Sequence, residues 1–409
     1  MRAVLHLAGN VAPVLAGLVT APLTARSLGP AARGELAIVL LISVFVGLVG
    51  ALGLGLLARH DVAANPGTMH EWSKRGRRIS GFSVTAALVV GVGLGLGLGL
   101  GSEELIATAV LFTLAGMSAS KSVDANILIV SGYTRQFGTA NLAASATICL
   151  GIVGAFVAGV LTLWLVIGLN AASLAVQMIL IVVPRAELLK RTPPEGLAHE
   201  RFGSLVRRAW RAWRAQVTEA LVIRADSILI MTQASVQVVG LYAVTALIPQ
   251  IAYQVFQTMI QHSYAIAPLV RIRERTRILW QVCIVVSLPL SAAGGLAAFI
   301  LVPILFGPSF IASLEWLLPA CMVAIGLAGL TPILQHFAVS GSDSWFPIAL
   351  LVGATASGLC GVVVNTATGL VVLAVMFLVT AGIYVYLVAG PKMFCVSWLS
   401  IRHLFWRER

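Results

Sequence analysis

Apolar runs of about 20 residues recur from one end of the chain to the other, and only short polar or basic stretches separate them. A helix needs about 20 such residues to cross a hydrocarbon core. Strand-like alternation of apolar and polar positions is absent, so the runs read as helices and not as a barrel. The pattern predicts an all-α integral membrane protein with about twelve transmembrane helices. They fall over 3–24, 36–58, 80–100, 105–130, 137–158, 161–183, 213–234, 239–262, 279–304, 315–338, 345–366 and 369–390. The first run resembles a signal peptide in outline, but it is too long and holds Asn10, Pro13 and Pro22, so it reads as an uncleaved first helix.

Composition agrees with that reading. The 409 residues are 59% hydrophobic and 10% charged, with mean hydropathy +0.97. Soluble domains carry about 25% charged residues, so lipid has to solvate much of this surface. The five cysteines, Cys149, Cys283, Cys321, Cys360 and Cys395, lie in or beside apolar runs without paired spacing. They read as free thiols acting as small hydrophobes, with no metal cluster and no cofactor motif.

The net charge of +12 would point to nucleic acid in a soluble protein. Here the basic residues sit between apolar runs, and 23 of the 27 Lys and Arg fall on one side of the predicted spans. Only Arg26, Arg33, Lys121 and Arg224 do not. Lys and Arg stay on the cytoplasmic side of short loops, so both termini are expected in the cytoplasm. The opposite loops are very short, which leaves little room for an external domain or a loop-built active site. The basic cluster Lys74-Arg75-Gly76-Arg77-Arg78 is expected in the loop after the second span, and Arg185 in the central loop.

That central loop divides the chain into residues 1–183 (six spans), 184–212 (a basic linker), 213–391 (six spans) and 392–409 (a basic tail). The linker ends in Arg207-Arg208-Ala209-Trp210-Arg211-Ala212-Trp213-Arg214. Cations and indoles at helical spacing fit an interfacial helix on anionic headgroups. A short internal match, Arg33-Gly34-Glu35-Leu36-Ala37 against Val239-Gly240-Leu241-Tyr242-Ala243, occupies the same place in each half. Two repeated six-helix lobes around a central cavity are a transporter layout.

Polar residues inside a membrane mark cavities or helix contacts. The eighth span carries Gln250, Gln254, Gln257 and Gln261, at spacings of 4, 3 and 4, with Tyr253 and Tyr264 beside them. The four amides share an arc of about 60° and suit sugar hydroxyls, or else glue helices together. The seventh span carries Glu219, Arg224 and Asp226. Glu219 and Asp226, seven apart, are expected on one face. Arg224 has no acid three or four residues away, so it pairs with another helix, snorkels, or meets an anion. The fourth span carries Lys121 and Asp124, three apart, which either neutralise each other or present a cavity charge or ion site. His262 and His336 read as packed or cavity histidines. Glycines at every second position from Gly91 to Gly101 spread around a helix, so they make it pliable rather than binding a nucleotide.

Three stretches carry a resemblance. They are Ala25-Arg26-Ser27-Leu28-Gly29-Pro30 running on to Arg33-Gly34, then Arg224-Ala225-Asp226 with Gly240-Leu241-Tyr242, then Pro303 to Phe310 with Leu317-Leu318-Pro319. In that order they resemble the polysaccharide-transport flippases (O-antigen and teichoic-acid exporters), which share a superfamily with the MATE multidrug exporters. The resemblance implies a non-enzymatic, alternating-access carrier. Its cargo would be a polyprenyl-pyrophosphate-linked oligosaccharide, moved from the inner to the outer leaflet of a bacterial inner membrane.

On that view Arg224, Lys121 and Arg26 hold the pyrophosphate, the glutamines and tyrosines line the cavity, and Asp124, Glu219 or Asp226 couples Na⁺ or H⁺. Membrane lipids and polysaccharide-assembly proteins would be its partners, and it would act as a monomer. Members often have further helices, and this chain stops at 409. The competing reading is an ion-coupled small-molecule exporter, MATE-like or a major-facilitator permease; a membrane enzyme is less well supported.

Overall fold

The computed structural model describes residues 2–193, 202–247, 260, 272–340 and 346–389. They divide into two compact units, Met1–Val217 and Thr218–Arg409. Both are built of helices.

In the first unit, α1 runs Arg2–Ala51 and breaks inside at Gly29, where φ is 73° and ψ 175°. Glycine reaches that conformation without a side-chain clash, and Pro30 after it suits the first turn of a new helical stretch. Fifty helical residues would run about 75 Å at 1.5 Å each, more than twice one hydrocarbon core. The break at Gly29 divides α1 in two and the expected loop shrinks to a kink, while the predicted second span, 36–58, is interrupted where α1 ends at Ala51. Leu52 (φ 48°) and Gly53 (φ 69°) end α1. Helix α2 (Leu54–Ala64) follows, then a 3₁₀ turn, Pro66–Thr68, capped by the Asn65 side chain.

Helix α3 spans Met69–Gly97, α4 Ser102–Gly116 and α5 Ser118–Val130. The last two meet at a 46° bend, so the predicted fourth span is a broken one. Helices α6 (Thr134–Val157) and α7 (Leu163–Arg191) complete the unit. Two expectations about loops are corrected here. Lys74 to Arg78 lie within helix α3, and α7 continues past the apolar run so that Arg185 is helical and buried. Backbone hydrogen bonding does not stop where hydrophobicity stops, and Lys190 and Arg191 suit a helix C-terminus.

The glycine run of α3 is two-faced. A Cβ on Gly91 would sit 2.6 Å from Phe112, and one on Gly95 2.6 Å from Leu105, whereas Gly93 and Gly97 have nothing within 4 Å. On α4, a Cβ at Gly116 would come within 2.6 Å of the Val84 backbone. Small residues let these two helices touch main chain to main chain.

Helix α8 (Phe202–Ile223) begins in the first unit and ends in the second. The second unit continues with α9 (Ala225–Gln233), α10 (Val236–Thr245), α11 (Ile272–Phe306), a 3₁₀ segment Pro308–Trp316, α12 (Leu317–Ser340), α13 (Phe346–Val363) and α14 (Thr366–Ala389). The gap between the predicted spans 279–304 and 315–338 is occupied by this 3₁₀ segment, entered at Gly307 with φ 92°.

Large apolar side chains such as Phe82, Leu150 and Leu296 are exposed, while serines, threonines and several charged groups are buried. That inverts the pattern of a soluble protein. Among the described residues seven helices are long and apolar enough to cross a membrane, or eight if the bent pair α4–α5 counts as one span.

Candidate functional site

The first unit holds a polar interior made by α3, α5, α6 and α7. The Lys121 ammonium on α5 donates to Gln177 Oε1 on α7 at 3.0 Å. Gln177 Nε2 in turn donates to Asn141 Oδ1 on α6 at 2.7 Å. Among the described residues no carboxylate pairs with Lys121. One helical turn along α5, Asp124 is 1% exposed and accepts from the Ser73 hydroxyl at 3.1 Å. Arg185, 6% exposed, brings Nε to 3.2 Å from Asp124 Oδ2.

Lys121 and Asp124 therefore do not neutralise each other. Asp124 takes its counter-charge from α7, and Lys121 is left among neutral amides. An isolated buried carboxylate costs several kcal/mol of desolvation, which the Arg185 guanidinium offsets. Hydroxyls fasten the neighbouring contacts. Ser80 Oγ accepts from the Ser120 N–H at 2.8 Å, Ser83 donates to the Gly50 carbonyl, and Ser118 donates to the Gly47 carbonyl.

The second unit has a different polar centre. Asp226 on α9 is 5% exposed and accepts from the Tyr242 hydroxyl on α10 at 2.7 Å. The Ser227 hydroxyl reaches its other oxygen at 3.3 Å. Trp316 stands edge-on to Tyr242, with ring centroids 6.3 Å apart, and Thr245 donates to the Ser313 carbonyl at 2.9 Å. Thus the mid-chain stretches that carry the family resemblance converge in space, with the 3₁₀ segment that follows Gly307 closing on α10. Arg224 is half-buried at the break between α8 and α9. Glu219 lies on α8 and Asp226 on α9, on either side of that break. Glu219 is half-buried. His336 Nδ1 lies 2.8 Å from the Thr276 hydroxyl, its ring edge-on to Tyr384.

Two other predicted positions are placed. Arg26 is exposed on α1 before the Gly29 break. Arg33 reaches back over that break to donate to the Thr24 hydroxyl at 3.1 Å, which gives the first resembling stretch a structural role. Gln250, Tyr253, Gln254, Gln257, Gln261, His262 and Tyr264 lie outside the described residues. Gln177, Asn141 and Ser73 were not singled out by the pattern, and Arg185 was expected only as a loop cation. The available signal was an amide inside each of two otherwise apolar spans.

At the basic rim of the first unit, Arg208 on α8 donates to both oxygens of Asp61 at 2.6 and 2.7 Å, and Trp210 stacks on Trp213. Burial alone would push the Asp61 carboxyl up. Hydrogen bonds and charge from Arg208 and His60 outweigh it and hold Asp61 below the usual carboxylate range.

No protein family and no curated protein matches the chain by sequence. Solved structures do match it in fold. A MATE transporter in complex with MaD3S superposes with a TM-score of 0.63 at 14% identity, over 95% of this chain and 94% of that one. A point mutant of the Vibrio cholerae MATE transporter VcmN gives 0.61 at 16%, again over 95% and 94%. A Pyrococcus furiosus MOP superfamily transporter with a binding pocket of reversed polarity gives 0.56 at 14%, over 98% and 94%. The chain thus has the fold of the MATE/MOP superfamily transporters, and it is a multi-pass helical membrane protein in architecture.

Proposed function

We propose that the chain is an alternating-access flippase. It carries a polyprenyl-pyrophosphate-linked oligosaccharide from the inner to the outer leaflet of a bacterial cytoplasmic membrane. In this reading it has twelve spans in two six-helix lobes, with both termini in the cytoplasm. The observation that supports it is the Lys121–Gln177–Asn141 chain. A cation with no carboxylate beside it recognises phosphate oxygens, and neighbouring amides can both donate to and accept from sugar hydroxyls. The polar head would pass through the protein while the polyprenyl tail stays in lipid, as the two lobes alternate. Asp226, held by neutral hydroxyls, is the first candidate for Na⁺ or H⁺ coupling, with Glu219 behind it. Asp124 is engaged by Arg185.

The test is binding of a lipid-linked oligosaccharide to the purified protein, wild type against Lys121→Met. Loss of a charged hydrogen bond should weaken binding about ten- to a hundredfold. Unchanged affinity in the variant would remove Lys121 from the site and with it the main support. The second reading, an ion-coupled drug or small-molecule exporter, is favoured by the likeness to MATE transporters. Drug-dependent proton or sodium exchange, with no lipid-linked sugar bound, would establish it. Its major-facilitator form is disfavoured, because the solved structures that share the fold are MATE transporters.

A further inference from the structure

A lateral cavity of about 540 Å³ opens between α4 and α7 of the first unit. Glu103 and Trp164 line one end of it, and Leu114 and Ala175 the other. Farther along, Lys121 and then Asp124 on α5, which continues α4, meet Gln177 and then Arg185 on α7, so α7 runs parallel to this span and Glu103 and Trp164, near the starts of α4 and α7, lie toward the same end. From Glu103 to Leu114 the groove covers about 16 Å of helix. That is half of a hydrocarbon core about 30 Å thick, the depth of one leaflet. Gly168 and Ala172 keep the α7 side shallow, and the lining is apolar except at the Glu103 end.

We propose that this groove holds an acyl chain of an amine-headed phospholipid, of the phosphatidylethanolamine class, with the ammonium between Glu103 and Trp164. The occupied leaflet is the one opposite the basic rim, which the charge bias makes the outer leaflet. A carboxylate supplies the counter-charge, and an indole face attracts a cation. Trp also belongs at the headgroup level of a bilayer. Glu103 and Glu104 together repel an anionic headgroup. The helix dipole accounts for acids in the first turn of α4, but not for an apolar trough beneath them bounded by the small side chains of α7. The assignment does not depend on the cargo.

The experiment uses the full-length protein in nanodiscs of defined composition, with retained lipids weighed by native mass spectrometry. Wild type should retain phosphatidylethanolamine over phosphatidylglycerol by about tenfold, the ratio expected of one such ion contact. Glu103→Gln, a surface change, should abolish the preference while leaving the number of retained lipids unchanged. Ala172→Phe, which fills the trough, should lower that number by one. Equal retention of the two lipids by wild type, or a preference that survives Glu103→Gln, would overturn the assignment. So would tighter retention of phosphatidylcholine or displacement by a soluble cationic amphiphile.

Discussion

The two units solve the same problem, a carboxylate buried among helices, in opposite ways. In the first, Asp124 is matched by a full guanidinium charge from Arg185. In the second, Asp226 is held by the hydroxyls of Tyr242 and Ser227, and among the described residues no ion pair reaches it. A charge matched by a charge stays put, because removing either partner strands the other. A charge held by neutral donors can change its protonation or exchange a cation with less reorganisation. In the proposed function this contrast makes the first unit the anchor, with Lys121 as spare positive charge, and the second the switch.

The largest expected effect tests the charge pair. Arg185→Ala should destabilise the protein by about 3–5 kcal/mol, read as a fall in detergent-solubilised melting temperature. Adding Asp124→Asn should recover most of it. If the single change is silent, the two units do not differ as described. Next, Tyr242→Phe leaves one oxygen of Asp226 without its donor and should cost about 1–3 kcal/mol. Its coupling to cation-dependent transport should exceed its effect on cargo affinity. Gly116→Leu should cost about 1–3 kcal/mol by forcing α3 from α4, while Gly93→Ala, with open space around it, should be neutral or slightly stabilising. The smallest effect belongs to the surface. Asp61 is depressed in the folded state, so the Asp61–Arg208 tie contributes above the ordinary carboxylate pKa of about 4 and is lost as pH falls through the depressed value. Exposure of Arg208 limits it to a few tenths of a kcal/mol. Hydrogen exchange in α8 at about pH 7 and about pH 3, on either side of that ordinary value, should detect it, and Asp61→Asn should flatten the difference.

Hydrophobic periodicity was enough to predict a helical chain with apolar spans, because span length depends on local composition, and seven or eight such spans stand among the described residues. It could not place their breaks. Nothing in the apolar run announces that α4 and α5 meet at 46°, or that α7 continues to Arg191. Pairing was legible only where the partners lie close in sequence. Asp124 and Arg185 are 61 residues apart, so the nearer Lys121 drew the expectation, and only tertiary packing decides between them. Tyr242 and Asp226 were both visible in the resembling stretches, yet their mutual contact was not.

Leu52 is the one non-glycine among the described residues with a positive φ. A leucine there costs about 1 kcal/mol, and only Gly53 separates it from α2, whose far end carries Asp61. The short helix is thus a lever clamped at its tip and sprung at its pivot. Leu52→Gly should relax the pivot and raise the melting temperature.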